Sequence, residues 1–371
     1  MKTKIKDKKE WTSPYNEFNS LKILYFKEHL NAIAKGKFLP PITTDTDPSS
    51  ICNFNCVWCN AKGIRRDNSK IIPPKHLLKL ADFYKEWGVK STCVSGGGEP
   101  MVNPGFSDFL YRLKKNGIKS GVISNGSLMT EKNARAIADC SSWCGISVDA
   151  GSREVFAKVK GLKDESIFDK VIENIRTLAR IKKETNSNVE LTYKYLLHPF
   201  NVKDIYKAAK LAKSIGINTF HLRPVCWDNL YGQRNKKPID FSNISKTIEE
   251  EIEKSRKLED ENFKFYSVRH KFGESFERKI NFKRCWATPL VSTFGADGNV
   301  HLCFDVRGKK EWILCKHYPD PKEILKVWGS SKHKKIINSV NVEKCPRCTF
   351  GPHNEIIEKV ILEDKMFLDF M

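Results

Sequence analysis

Cys52-Asn53-Phe54-Asn55-Cys56-Val57-Trp58-Cys59 puts three thiols within eight residues, directly after the β-type run Ile42–Ser50. Three thiols on one loop constrain the chemistry. A structural zinc site closes with four ligands, and zinc-type cysteine spacings come in pairs. Here a fourth ligand would have to come from His76 or from a cysteine far along the chain. A cubane iron–sulfur cluster held by three thiolates instead leaves one iron without a protein ligand, open to a substrate or cofactor.

Outward from this loop the pattern of strand followed by polar turn recurs. The β-type run Ser91–Gly97 leads into Ser95-Gly96-Gly97-Gly98-Glu99-Pro100, Lys119–Gly126 ends in Ser124-Asn125-Gly126, and Trp143–Gly151 holds Ser147-Val148-Asp149. Val189–His198 and Thr219–Cys226 follow. Between them lie helical stretches. Pro74–Gly88 has Leu77, Leu80, Ala81, Tyr84 and Trp87 on one face, a first-turn proline and a glycine stop. The others are Phe106–Asn116, Thr130–Asp139 with Thr130 as its cap, Ile167–Thr185 and Val202–Ser214. Strand and helix in strict alternation predict an α/β fold with a parallel sheet, open or closed into a barrel. The polar motifs then share the carboxyl ends of the strands, the ligand-binding edge in either case.

The texture changes after residue 226. Cys226–Lys237 is polar and turn-rich, and Asp240–Asn262 reads as a charged bridging helix capped by Ser242 or Asn243. From Phe263 short strands and glycines dominate, with a helix near Glu323–Trp328. Four cysteines lie here: Cys285, Cys303, and Cys345 and Cys348 in a CPRC motif. Four thiols close either a zinc or a [4Fe–4S] site. Asp297-Gly298 reads as a hairpin turn between the strands that carry the first two. A unit this small needs an internal metal to help hold it.

Among the 371 residues, 65 Lys and Arg against 44 Asp and Glu give a net charge of +21, which favours anionic ligands. The excess is scattered through helical patterns, apart from Lys2–Lys9. No clustered aromatic and basic stripe of the kind that stacks bases is visible, which ranks nucleic acid last among partners. The basic N-terminus is followed by no apolar segment, and no run of about 20 apolar residues occurs, so no leader and no membrane span are expected. With twelve cysteines and a cytoplasmic location as the expectation, metal or redox chemistry outranks disulfides.

A CxxxCxxC loop with an aromatic before its last cysteine, followed by Gly-Gly-Gly-Glu-Pro at 96–100, resembles the radical S-adenosylmethionine (SAM) superfamily, and the similarity extends over residues 42–226. The resemblance implies a partial (β/α)6 TIM-type barrel. It implies that Cys52, Cys56 and Cys59 hold a [4Fe–4S] cluster whose open iron chelates SAM. Reduction of the cluster then breaks a C–S bond of SAM, and the 5′-deoxyadenosyl radical abstracts hydrogen from substrate. In this resemblance Gly97 and Gly98 let the backbone approach the methionine moiety, and Glu99 accepts from its ammonium group. Ser124 and Asn125 lie where family members contact ribose or carboxylate. Ser147 and Asp149 are further candidates for SAM or substrate. Trp58 stacks near adenine, and Arg223 serves as a carboxylate clamp or, alternatively, as a plain ion pair. The reductant implied is a one-electron donor such as flavodoxin or ferredoxin.

The pattern Cys285-x12-Gly298-x4-Cys303 with a distant CxxC resembles the twitch domain, the smaller relative of the SPASM domain. The longer domain's extra CxxC-x5-CxxxC run is absent from this chain. The resemblance implies a small C-terminal α+β domain with one auxiliary [4Fe–4S] cluster on Cys285, Cys303, Cys345 and Cys348, suited to relaying one electron. Zinc accepts the same four thiolates. The implied organisation is an N-terminal extension (1–41), a radical SAM core (42–240), a linker helix (241–262) and the auxiliary domain (263–371). Cys226, at the end of the sixth strand, is either a hydrogen-atom donor to a substrate radical or a small buried side chain. The leading substrate class is a small, anionic, polar metabolite such as a sugar or nucleotide sugar. A peptide or protein substrate is the alternative. A non-catalytic zinc-binding interaction protein is the reading from another class, and it requires tight zinc, no iron and no SAM cleavage.

Overall fold

The computed structural model describes residues 19–62, 69–225, 241–268, 280–343, 345 and 348–363, and its strands form one ten-stranded sheet. They are β1 (Thr43–Thr46), β2 (Ser91–Val94), β3 (Lys119–Ser124), β4 (Ser141–Ser147), β5 (Glu190–Leu197), β6 (Thr219–Pro224), β7 (Lys264–Ser267), β8 (Val291–Phe294), β9 (Asn299–His301) and β10 (Ile313–Lys316). The spatial order is β10-β9-β8-β1-β2-β3-β4-β5-β6-β7. Strands β1 to β7 run parallel and β8 joins β1 in parallel, while β9 and β10 turn back as an antiparallel edge. The helices are α1 (Lys27–Ala34), α2 (Pro74–Trp87), α3 (Phe106–Lys115), α4 (Glu131–Cys140), α5 (Arg153–Lys160), α6 (Ile167–Glu184), α7 (Ile205–Ser214), α8 (Ser245–Arg256), α9 (Ser331–Asn338) and α10 (Gly351–Ile356). Helices α2, α3, α4 and α6 pack each on the next, as do α7 and α8, so the helices form an outer layer along one face of the sheet.

The strand–helix alternation is where the sequence puts it. In α2 the proline occupies the first turn, Gly88 closes the helix with φ 95°, and Leu77, Leu80, Ala81 and Tyr84 are buried. Thr130 caps α4 through the Asn133 N–H. Two elements differ from the reading. Val202 lies in a 3₁₀ turn (Pro199–Asp204) that precedes α7, because Pro199 and the His198 cap favour a tight first turn. Helix α5, absent from the sequence reading, packs Phe156 and Val159 inward.

The C-terminal segments continue the same sheet. The charged stretch 241–262 yields α8, which buries Ile248 and Ile252 one turn apart and packs on α7 and β7. Strand β7 pairs with β6, and β8 pairs with β1, so these two strands extend both edges of the six-stranded core. The Asp297-Gly298 turn joins β8 to β9, with Gly298 at φ 84°. Cys285 and Cys303 flank this hairpin rather than lying within its strands. Among the described residues, no helix is long and apolar enough to cross a membrane.

Candidate functional site

The cysteine loop leaves the carboxyl end of β1 and is held by neighbours on two sides. On one side the Asn55 N–H donates to the Lys160 carbonyl at 3.0 Å and the Val57 N–H to the Val159 carbonyl at 3.0 Å, fixing the loop to the end of α5. Gly161 makes this approach possible. Its φ is 65°, and a Cβ there would stand 2.5 Å from the Asn55 carbonyl oxygen. Phe54 meets Phe156 edge-on with ring centroids 5.9 Å apart. On the other side Trp58, 6% exposed, stacks on His198 and Phe200 beyond the end of β5. Burial pushes the Cys56 thiol up to about 11, against the pull of Lys160, and Cys59 and Cys52 raise it further as neighbouring thiolates. The three thiols are therefore electrostatic neighbours. A metal that accepts thiolates would displace their protons.

The glycine–glutamate turn lies beside the same loop. The Gly98 N–H donates to the Ser49 carbonyl at 3.0 Å and the Glu99 N–H to the Ile51 carbonyl at 2.8 Å. A Cβ on Gly98 would lie 2.1 Å from the Ile51 carbonyl oxygen, so glycine here is dictated by the stem of the cysteine loop itself. Glu99, 2% exposed, accepts from Ser124 Oγ at 2.8 Å, from the Asn125 N–H at 2.7 Å and from the Met101 N–H at 3.2 Å. It joins the end of β2 to the end of β3. Asn125 Nδ2 in turn donates to Asn53 Oδ1 at 2.9 Å and lies 3.9 Å from Cys52 Sγ, while Asn53 Nδ2 donates to Ser127 Oγ at 2.7 Å. Glu99, Ser124 and Asn125 are thus brought together with Cys52, and Asn53 and Ser127 complete a network that the motif reading did not include.

Burial pushes the Glu99 carboxyl up to about 7 against the three donors that pull it down. A folded state that keeps a proton the unfolded chain has lost becomes less stable as pH rises from about 4.5 to about 7, with no further change above. Glu99→Gln should flatten that slope. It also presents an amide N–H₂ to one of the existing donors, an unsatisfied contact worth about 1–3 kcal/mol. Thermal unfolding between pH 4.5 and 7 reads the slope.

Asp149 takes a left-handed φ of 63° just beyond β4. Its Oδ2 pairs with Lys160 Nζ at 2.6 Å, the two side chains being 3% and 1% exposed, and its Oδ1 accepts the Leu196 N–H at 2.7 Å. This buried ion pair adjoins Cys56 and Cys52, whose negative charge would favour protonated Lys160.

On the inner face of the sheet exposure alternates with a period of two. Leu191, Tyr193, Tyr195 and Leu197 of β5 are fully buried against the helices, whereas Lys194 and Leu196 between them keep partial solvent access. On β6 Phe220 and Leu222 are buried while His221 and Arg223 stay accessible; Cys93, Trp143 and Ser147 behave likewise on β2 and β4. The inner face therefore lines an open space. Lys194 lies along the adjacent strand β4, its Cε over Gly145 and its Nζ 5.8 Å from the Trp143 ring centre. The Cys93 thiol, raised by burial, senses Asp45, Lys194 and Arg307, so charges from three elements converge there. Cys226 lies outside the described residues.

Among the downstream cysteines, Cys303 senses both Cys285 and Cys348 as neighbouring thiolates. Each of these three sulfurs is approached by N–H groups: Cys285 by the backbone of Ala287 and Thr288, Cys303 by that of Asp305, and Cys348 by Asn354 Nδ2 at 3.6 Å. Burial raises the Cys285 and Cys303 thiols, and these donors pull the other way, toward thiolate. Cys345 stands one turn before Cys348, its N–H donating to the Val342 carbonyl at 3.3 Å. Among the described residues, no three His, Cys, Asp or Glu side chains gather on a single ion, so the thiols of each set are neighbours rather than a closed chelate.

A parallel sheet with a helical outer layer, a three-thiol loop at its carboxyl edge and an open polar inner face defines an enzyme that works on a ligand within the curve of the sheet. The Radical SAM superfamily profile matches residues 46–248, and the chain belongs to that superfamily. Similar curated proteins include the probable GTP 3′,8-cyclase of Saccharolobus islandicus strain M.14.25, 27% identical over 173 residues that make up 46% of this chain and 53% of the relative. The probable GTP 3′,8-cyclase of Sulfolobus acidocaldarius is 23% identical over 201 residues, 54% of this chain and 61% of that protein. The chain spans about half the length (53%) of the first of these relatives. Among solved structures, Streptococcus suis SuiB bound to the precursor peptide SuiA superposes with TM-score 0.62 at 16% identity, over 94% of this chain and 80% of that one. The structure described as native anSMEcpe with bound AdoMet gives 0.57 at 19% identity, over 84% and 87%. These two share the fold. The cofactors of this superfamily are a [4Fe–4S] cluster and SAM. A donor set of three neighbouring thiols beside a buried lysine fits such a cluster.

Proposed function

We propose that Cys52, Cys56 and Cys59 hold the SAM-binding [4Fe–4S] cluster, that Cys285, Cys303, Cys345 and Cys348 hold one auxiliary [4Fe–4S] cluster, and that the substrate is a small polar metabolite carrying anionic groups, such as a sugar or nucleotide sugar. The observation that carries the substrate reading is the accessible, cation-bearing inner face of β5 and β6, where Lys194, His221 and Arg223 alternate with fully buried residues. When bound, such a cluster with SAM would supply one-electron reductive cleavage of a C–S bond and the radical hydrogen abstraction that follows from it. The chain's own residues do the positioning. Glu99 fixes the glycine turn against β3, so that Gly97, Gly98, Ser124 and Asn125 present backbone and side-chain groups to SAM. Asn125 holds Cys52 in orientation by an N–H···S contact. Ser147, Asp149 and Trp58 border the same space, and Arg223 offers a planar fork to a carboxylate or phosphate. A cluster held by all four of Cys285, Cys303, Cys345 and Cys348 would be fully ligated and would supply one-electron relay to or from substrate, with flavodoxin or ferredoxin as the external donor.

The relatives named as probable GTP 3′,8-cyclases keep a nucleotide within this substrate class. Anaerobic reconstitution should give about eight irons per chain, four for each cubane. Dithionite and SAM should then yield 5′-deoxyadenosine. Deuterium should pass into 5′-deoxyadenosine from labelled sugar phosphates, nucleotide sugars or GTP. Transfer from a peptide with none from these small molecules would overturn the substrate assignment.

A further inference from the structure

Strand β1 has two polar faces. Thr46 Oγ1 meets the Tyr84 hydroxyl of α2 at 2.9 Å, so Thr44 and Thr46 face the helices and Asp45 and Asp47 fall on the inner side. Asp45 stands in register with Cys93 on one flank and Thr293 on the other. Arg307, from the turn after Cys303, brings its Nε within 3.3 Å of Asp47 Oδ2. Asp305 in the same turn is occupied, its Oδ2 accepting the Thr349 N–H at 2.8 Å.

Two features make this wall unusual. First, Asp45, Asp47 and Asp305 are 8%, 3% and 7% exposed, three nearly dry carboxylates grouped around one guanidinium. Second, the wall carries polar atoms without a hydrogen-bond partner: Asp47 Oδ1, Thr293 Oγ1 and Arg307 Nε, the last close to Asp47 but out of line for a hydrogen bond. Thr293 is fully buried. Each such atom costs about 1–3 kcal/mol if left unmatched, and buried polar groups in native proteins nearly always have partners. Water could satisfy the count of bonds. Burial raises the Asp45 carboxyl to about 7 and raises that of Asp47 as well, and a cation placed between them would hold the pair ionised where water would not. An ammonium group has three donors and no acceptor, which suits Asp45, Asp47 and the Thr293 hydroxyl.

We propose that Asp45, Asp47 and Thr293 form a recognition subsite for a protonated amine, so that the substrate is a small amine whose far end is anionic and meets the cationic β5 and β6 wall. This deepens the reading of the inner face as the substrate chamber and rests on it. Asp45, in register with Cys93 of β2, and Lys194 of β5 lie on the same inner face, with β2, β3 and β4 between their strands. The class is that of an amino-sugar phosphate, as distinct from a neutral sugar phosphate.

The test uses the full chain, reconstituted anaerobically with SAM present, and calorimetric titration with glucosamine 6-phosphate, glucose 6-phosphate and N-acetylglucosamine 6-phosphate. The free amine should bind at least about tenfold tighter than either neutral analogue. Asp47→Asn should reduce that preference to within about twofold. Thr293→Val deletes a hydroxyl that has no partner, so its melting temperature should be no lower than the parent's. Its preference for the amine should nevertheless fall several-fold, which keeps the test open if Asp47→Asn folds poorly. Equal affinity for all three ligands, no binding of the amine, or a preference untouched in Thr293→Val would overturn the subsite. Failure of the parent enzyme to form 5′-deoxyadenosine would sink the broader proposal. Normal SAM cleavage without any amine preference would sink only this one.

Discussion

Replacing Cys52, Cys56 and Cys59 together by alanine should remove about half the iron of the anaerobically reconstituted protein and abolish SAM cleavage, while leaving the fold in place. The last expectation follows from how the loop is anchored. Its backbone bonds to Val159 and Lys160, the Phe54–Phe156 contact and the Trp58 stack on His198 and Phe200 involve no sulfur. Thiols pushed upward by burial, as Cys56 is to about 11, cost nothing when replaced by a small apolar side chain. The loss of chemistry should be total rather than partial, because the variant keeps no thiol on the loop and, among the described residues, no group of three or more His, Cys, Asp or Glu side chains stands ready to hold a metal. The iron that remains should reside on the downstream cysteines, and alanine at Cys285 and Cys303 should remove the complementary half. Iron analysis, EPR of the dithionite-reduced protein and chromatography of 5′-deoxyadenosine provide the three readouts. A triple variant that still cleaves SAM would remove these cysteines from the site. A melting temperature far below the parent's would show that the loop depends on its metal for its shape.

What the sequence revealed and what it hid follow from range of interaction. Helix α2 was readable because its proline, apolar face and closing glycine are local signals, each acting within one turn. The motifs at the ends of β1, β2 and β3 were readable because glycines and cysteines are rare enough to stand out. The true task of Gly98 was not readable. It is set by the Ile51 carbonyl 2.1 Å from its missing Cβ, a contact between segments 47 residues apart in sequence. Helix α5 was overlooked although Lys160 and Gly161 anchor the cysteine loop, since a short segment with a closing Gly161 resembles a turn. The alternation of Asp45 and Asp47 with Thr44 and Thr46 was present in the sequence as a period-two signal, but two polar faces give no apolar stripe to orient it. Only the Tyr84 contact tells which face is inward. The continuation of the sheet through β7 and β8 depends on register between strands far apart in the chain, which composition does not encode.

The buried Asp149–Lys160 pair yields the second large effect. Lys160→Met keeps the length and the apolar stem of the side chain but removes the charge 2.6 Å from Asp149. The carboxylate would stay behind, 3% exposed, with the Leu196 N–H as its remaining donor on Oδ1. Removing one member of a buried pair typically costs about 3–5 kcal/mol, and for a chain of this size that lowers the melting temperature by roughly 5 °C. The double variant Lys160→Met/Asp149→Asn should recover most of the loss, because asparagine still accepts the Leu196 N–H and carries no charge to strand. A surface ion pair would behave otherwise, with each single variant costing less than about 1 kcal/mol and no recovery in the double. The same lysine also pulls the Cys56 thiol down against burial, so in apo-protein the Lys160→Met change should move the pH midpoint of Cys56 alkylation further upward. The two readouts separate two roles. A stability loss with an unmoved alkylation profile would make Lys160 purely a partner for Asp149. A shifted profile in the stability-rescued double variant would leave Lys160 as the cation that prepares the cysteine loop to bind as thiolate.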